Sequence, residues 1–260
     1  MCGRVIVDYE EMLRVAGDTA LAEWLTAAPQ GAASSWNIPP TRALAIALTD
    51  PVTGSKHFEL AHWSLAPPWA KQLNSKFPTF NARAETAAEK PTFQAAVQHA
   101  RCAIPVSGFY EWTGSKERRV PHAIFGPAPV LILAGLYSWW RAPGSDDRWT
   151  LTTTILTQPS AGKMTDLHDR MPVFLADELT AEWLDPATLG DQHLVNAVTA
   201  MAISVSCELR THEVRPLRGD GAHLMDPMPR ASSPSQQAPD QLALFGEEFL
   251  DIAPNERPPR

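Results

Sequence analysis

"RCAIPVSGFYEW", Arg101 to Trp112, is the stretch on which the fold turns. Its β-branched and aromatic residues give it the character of strand rather than helix. Working outward, "VLILAGLY" (130–137) and "WTLTTTILT" (149–157) read the same way downstream, as do "ALAIAL" (43–48) and "FELAHWSL" (58–65) upstream. Helix formers with apolar spacings near three and four mark "DYEEMLRVAGDTALAEWLTAAP" (8–29) as one or two helices, closed by Pro29. "PTFQAAVQHA" predicts a helix beginning at Pro91, and "ADELTAEWL" (176–184) another. Strands outnumber helices and do not alternate with them regularly, so the expected class is α+β rather than a parallel-sheet fold.

The chain has 260 residues, enough to bury a sizeable core. Its longest apolar run, Val130 to Trp140, falls short of the roughly 18 apolar residues of a spanning helix, so no membrane association is expected. Asp8, Glu10 and Glu11 stand where a secretory signal would be basic and then apolar. Cys2, Cys102 and Cys207 form no C-x-x-C pair and leave an odd thiol, which suits a reducing compartment and predicts a cytoplasmic protein, a monomer being expected. Cys102 and Cys207 lie in apolar surroundings and are expected in the core. The histidines and cysteines show no zinc spacing, and neither a metal nor another cofactor is expected.

From about Pro229 the composition changes to "PRASSPSQQAPD", which cannot bury enough apolar area to offset the ordering of the chain. The expected organisation is therefore one domain over residues 1–229 and a disordered tail over 230–260. Five acidic and two basic side chains in the last thirty residues put −3 of the net −7 charge in the tail and leave −4 on the body. That balance argues against a broad nonspecific nucleic-acid surface, so any phosphate contact must come from a local cluster.

The chain opens "MCGR". An initiator methionine before a small side chain is commonly removed, and removal would leave Cys2 with a thiol and an α-amine on neighbouring carbons. Reference pKa values of roughly 8.5 and about 7.7 to 8.0 leave some neutral amine near pH 7. Such an amine attacks an aldehyde to give an imine, and the thiol closes on the imine carbon to form a thiazolidine. The plainer reading of Cys2 is a small buried residue of a first strand.

Four blocks bear on that choice: "MCGR", "FNARAET" (80–86), "GFYEW" (108–112) and "LHDRMP" (167–172), joined by "WNIPPT" (36–41) and "WSLAPPWA" (63–70). Together and in this order they resemble the signature blocks of the SRAP family, the SOS response-associated peptidases. The likeness runs from residue 1 to about 172 and continues more weakly to about Pro229.

The resemblance implies a mixed fold around a barrel-like sheet flanked by helices, which binds single-stranded DNA and crosslinks covalently to abasic sites. The ring-opened sugar supplies the aldehyde that the aminothiol requires. By the same resemblance Cys2 is the crosslinking nucleophile, Asn81 orients the reacting sugar or the terminus, Glu111 handles protons at the amine, and His168 acts on the sugar oxygen.

A carboxylate beside the amine can take its proton before attack and return one as water leaves. Tyr110 and Trp112 can lower the polarity around Glu111 and raise its pKa, and His168 exchanges protons near neutrality. Asn81 has a second reading as the cap of a helix over "ARAETAAE". Arg4, Arg83 and Arg170 each lie two residues from one of these positions and offer bidentate phosphate contacts, with ordinary salt bridging as the alternative. Trp69 and Trp112 are candidates to stack on flanking bases, the other seven tryptophans being assigned to the core.

In the tail, "QLALF" resembles the bacterial sliding-clamp-binding pentapeptide, with Gln241, Leu242, Leu244 and Phe245 as its pocket-filling residues. Two further function classes stay open: a thiol peptidase using Cys2 with His168 and Glu111, and a noncatalytic DNA and clamp adaptor.

Overall fold

The computed structural model describes residues 2–74, 76–115, 117–144 and 148–229. Gln241, Leu242, Leu244 and Phe245, and the tail that carries them, lie outside the described residues. Met1–Met228 gather into one compact unit.

Five strands close into a barrel: β3 (Ala43–Thr49), β4 (Lys56–Trp63), β6 (Arg101–Val106), β9 (Leu131–Trp140) and β10 (Thr150–Pro159). Around the ring β4 pairs with β3, β3 with β6, β6 with β9, and β9 with β10, all antiparallel; β10 returns to β4 in parallel register, Thr152 opposite His62. An odd ring cannot alternate direction all the way round, so one parallel seam is obligatory. That seam is where β4 ends. Its place along β10 is taken by β5 (Asn81–Arg83), paired in parallel with Ile155 to Thr157. Asn81 therefore sits on the barrel rim, end to end with a strand that has just left it. The short β11 (Arg170–Pro172) covers the far end of β10.

A second, antiparallel sheet runs β12 (Arg210–Glu213), β8 (Val120–Phe125), β7 (Gly108–Thr113), β1 (Val5–Val7), β2 (Ser35–Ile38). The stretch 101–112 joins the two sheets: it is barrel strand β6 up to Val106, bends at Ser107, and becomes β7 of the second sheet. The amide of Ser107 donates to Ile6 O (2.8 Å), and its hydroxyl accepts from the amide of Asp8 (3.0 Å). Gly108 is required at the bend, because a Cβ there would lie 2.7 Å from Ile124 O and 2.9 Å from the Phe125 ring.

The helices lie outside the barrel. The segment 8–29 is helical only over α1 (Tyr9–Arg14), capped by Asp8, whose side chain accepts from the amides of Glu10 and Glu11. It ends in a 3-10 turn because Gly17 weakens the helix and the hydroxyl of Thr19 takes the Ala16 carbonyl (2.8 Å). α2 covers Gln94–His99, starting three residues after Pro91, and α3 covers Asp177–Leu184. α4, Gln192–Glu208, is the longest helix among the described residues and has no counterpart in the sequence reading. Its Val195, Val198, Thr199, Ile203 and Val205 lower helix propensity. Burial of Leu194, Val195, Val198 and Ala202 in the main core, beside the 3-10 turns at Ala84–Thr86 and Gly162–Met164, overrides that preference.

Two core assignments are corrected. Cys207 is exposed, near the end of α4. Trp139 and Trp149 are 43% and 55% exposed, because the β9–β10 hairpin carries them past the edge of the core.

Candidate active site

The antiparallel pairing of β1 with β7 brings the chain's beginning to Glu111. Val5 lies opposite Phe109 and Ile6 opposite Gly108, and the amide of Tyr110 donates to Arg4 O (3.0 Å). The same register, continued, sets Gly3 and Cys2 alongside Glu111 and Trp112. Asn81 reaches the same place from the barrel rim, its Nδ2 donating to the Cys2 carbonyl at 2.8 Å. It caps no helix: the 3-10 turn after β5 begins at Arg83 without a side-chain cap. The two sheets thus meet at Cys2, one supplying the backbone and the other the side chain that holds it.

Cys2 is fully buried, and burial together with the negative charge of Glu111 pushes its thiol far above the usual range. Glu111 is 2% exposed, and burial raises its carboxyl against the opposing pull of positive charge at the amino terminus and at His168. His168 therefore lies within electrostatic reach of Glu111. It sits in the turn after β10, placed by its own amide on Met164 O (3.1 Å) and by its carbonyl, which accepts from the hydroxyl of Ser160. Its Nδ1 lies 3.0 Å from the amide of Arg170 and 2.7 Å from Asp169 Oδ1. Bare, that nitrogen accepts from Arg170; protonated, it donates to Asp169.

The three arginines have different surroundings. Arg4 donates to Asn37 Oδ1 at 2.9 Å, and Asn37 in turn donates to Gly219 O. Arg83 is exposed at the end of β5. The side chain of Arg170 is 12% exposed, and its guanidinium donates to both oxygens of Glu85 and to Thr157 O (2.6 Å). Beside Arg170, the Glu85 carboxyl is held below its ordinary range. Trp69 is 65% exposed on the loop between β4 and β5, whereas Trp112 is half-buried against the cluster of Ile6, Tyr110 and Leu224.

Glu85 and Asp169 escaped the sequence reading although both lie inside quoted blocks; Asp169 adjoins the His168 it contacts, whereas Glu85 meets Arg170 from a different block. Thr41, in "WNIPPT", is the only described non-glycine residue with positive φ (70°), an unfavourable conformation for a β-branched side chain. Its amide donates to Trp63 O (2.8 Å), tying that block to the end of β4. Among the described residues no group of three or more His, Cys, Asp or Glu side chains forms a metal site, and no helix is long and apolar enough to cross a membrane.

Comparison with known proteins identifies the family. Over residues 1–217 the chain matches the profile of the SOS response associated peptidase (SRAP) family. It is 36% identical over 162 residues to the abasic site processing protein YoqW of Bacillus subtilis, covering 62% of this chain and 70% of YoqW. It is 30% identical over 146 residues to the abasic site processing protein HMCES of Xenopus tropicalis, covering 47% and 43% of the two chains. A phage-related protein of Bordetella bronchiseptica superposes with a TM-score of 0.60 at 28% identity, covering 83% of this chain and 95% of that one. A protein from Bacteroides thetaiotaomicron, 19% identical, shares the fold with a TM-score of 0.70 over 87% of this chain and all of its own. The chain belongs to the SRAP family.

Proposed function

We propose that this chain processes abasic sites in single-stranded DNA by covalent capture, with Cys2 as the reacting residue once Met1 has been removed. The observation that carries this reading is the convergence on Cys2 of Asn81, bonded to its carbonyl at 2.8 Å, and of the buried Glu111. The α-amine attacks the aldehyde carbon of the ring-opened sugar to give a carbinolamine, and loss of one water leaves an imine. The thiol sulfur then adds to the imine carbon while its proton passes to nitrogen, closing a thiazolidine. Glu111 takes the proton of the attacking amine and returns it to the departing hydroxyl. His168 serves the sugar oxygen during ring opening, and Asn81 fixes the carbonyl so that amine and thiol face one point.

The raised thiol supports this order of events. A buried thiol that holds its proton is a poor first nucleophile, so the amine attacks first and sulfur second. The abasic site processing names of YoqW and HMCES agree with the substrate class. In the tail, Gln241, Leu242, Leu244 and Phe245 would dock the chain on a bacterial sliding clamp.

The test is incubation with an oligonucleotide carrying one abasic site. The expected result is a heat-stable, gel-shifted species that Cys2→Ala abolishes or reduces to a borohydride-trappable imine. A stable species of equal yield from Cys2→Ala would reject the assignment, and cleavage of peptides without DNA would favour the peptidase.

A further inference from the structure

Three of the nine tryptophans stand around one groove of about 520 Å³, away from Cys2: Trp69 at 65% exposure, Trp139 at 43% and Trp149 at 55%. Trp139 and Trp149 share a face of the β9–β10 hairpin, since Leu151 lies opposite Trp139 and Trp149 is two residues from Leu151. The guanidinium of Arg141 stacks over the Trp149 ring, 4.9 Å from its centroid. Trp69 is brought alongside by the loop that carries it, for Ala70 O accepts from Trp140 Nε1 (2.8 Å) and the amide of Ala66 donates to the Thr152 hydroxyl (3.1 Å). An aromatic surface of this extent left open is a binding surface.

Charge identifies the occupant. The chain is acidic overall, yet among the described residues no carboxylate lines this groove, while Arg141 stands over Trp149 and Lys71 lines the adjoining hollow beyond Trp69. Exposed indole faces and a stacked guanidinium fit unpaired bases with their phosphates outward.

The groove and the reactive site are built on the same loop and strand. The loop bearing Trp69 is pinched at its base by Leu65 N to Thr79 O (3.2 Å) and Ser64 to Thr79 (2.9 Å), and two residues past that neck stands Asn81, which holds Cys2. Along β10, the five residues from Thr150 beside the groove to Ile155 beside Asn81 span about 17 Å.

We infer that the Trp139–Trp149 groove is a second single-strand subsite, stacking unpaired bases a few nucleotides from the one seated at Cys2. The inference rests on the single-stranded DNA reading above but not on the covalent chemistry.

Its test therefore uses undamaged DNA. The native chain, Trp139→Ala, Trp149→Ala and Arg141→Glu are titrated with a short oligothymidine that fills only the Cys2 seat and with a long one that reaches the groove. Each tryptophan variant is expected to bind the long strand about fivefold or more weakly, Arg141→Glu is expected to weaken it too, and affinity for the short strand is expected to hold. Equal affinities of all variants for the long strand, or equal losses on both strands, would overturn the inference; the first result would leave the groove to a protein partner or a second copy. Failure of the native chain to bind either strand would reject the single-stranded reading itself, whereas native binding independent of length would reject only the second subsite.

Discussion

At the scale of single residues the account depends on proton positions. Glu111 is a carboxyl raised by burial, so it takes up a proton at a higher pH than an exposed glutamate does. Lowering the pH through that elevated value removes the base form, and the rate of crosslink formation is expected to fall there. Titration of the α-amine also slows the reaction at low pH, and the two contributions separate in Glu111→Gln. That variant is expected to be slower by on the order of 10² and to keep only the limb due to the amine, as single-turnover rates across pH would show. His168→Ala is expected to change the rate of formation or of reversal; rates equal to the native chain in both directions would reject its role. Cys2, Asn81, Glu111 and His168 could be named only because the blocks that hold them resemble those of the family; the structure brings Asn81 and Glu111 to Cys2 and puts His168 within electrostatic reach of Glu111. Their partners could not: nothing in "FNARAET" or "LHDRMP" says that Glu85 and Arg170 face each other across the barrel rim, since that contact exists only once β5 and β11 flank β10.

At the scale of elements, the decisive feature is the bend at Ser107, where one continuous run of strand residues passes from barrel to second sheet. The sequence reading recognised this stretch as strand but did not divide it, because the division is made by tertiary contacts: Ser107 bonding to β1, and Gly108 lying against Ile124 and Phe125. Gly108→Ala is expected to lose about 1 to 3 kcal/mol of stability, read as a lowered denaturation midpoint. It should also slow crosslinking, since β1 and β7 share the register that seats Cys2. α4 was illegible for a different reason, its β-branched residues being poor helix formers that packing overrides. That helix bears on the site indirectly: Gly162, in the turn leading to His168, has φ +54° and comes so close to α4 that a Cβ would lie 2.6 Å from the Ser206 hydroxyl.

At the scale of the whole molecule, composition argued against a broad basic surface but could not locate the exposed tryptophan groove, which forms only when the β4–β5 loop meets the β9–β10 hairpin. The α+β class was legible from the excess of strands, and the closed barrel from the family resemblance rather than from periodicity. The tail was read as a separate functional unit. Deletion of Gln241 to Phe245 is expected to abolish association with a bacterial sliding clamp, measured by co-elution, while leaving abasic-site crosslinking unchanged; retained association would reject the motif. The central claim concerns the other end of the chain and is tested most directly by intact mass. The purified protein is predicted to lack Met1, and after incubation with an abasic oligonucleotide to gain the mass of the strand less one water. Retention of Met1, or a blocked amine, in a protein that still forms the stable adduct would contradict it.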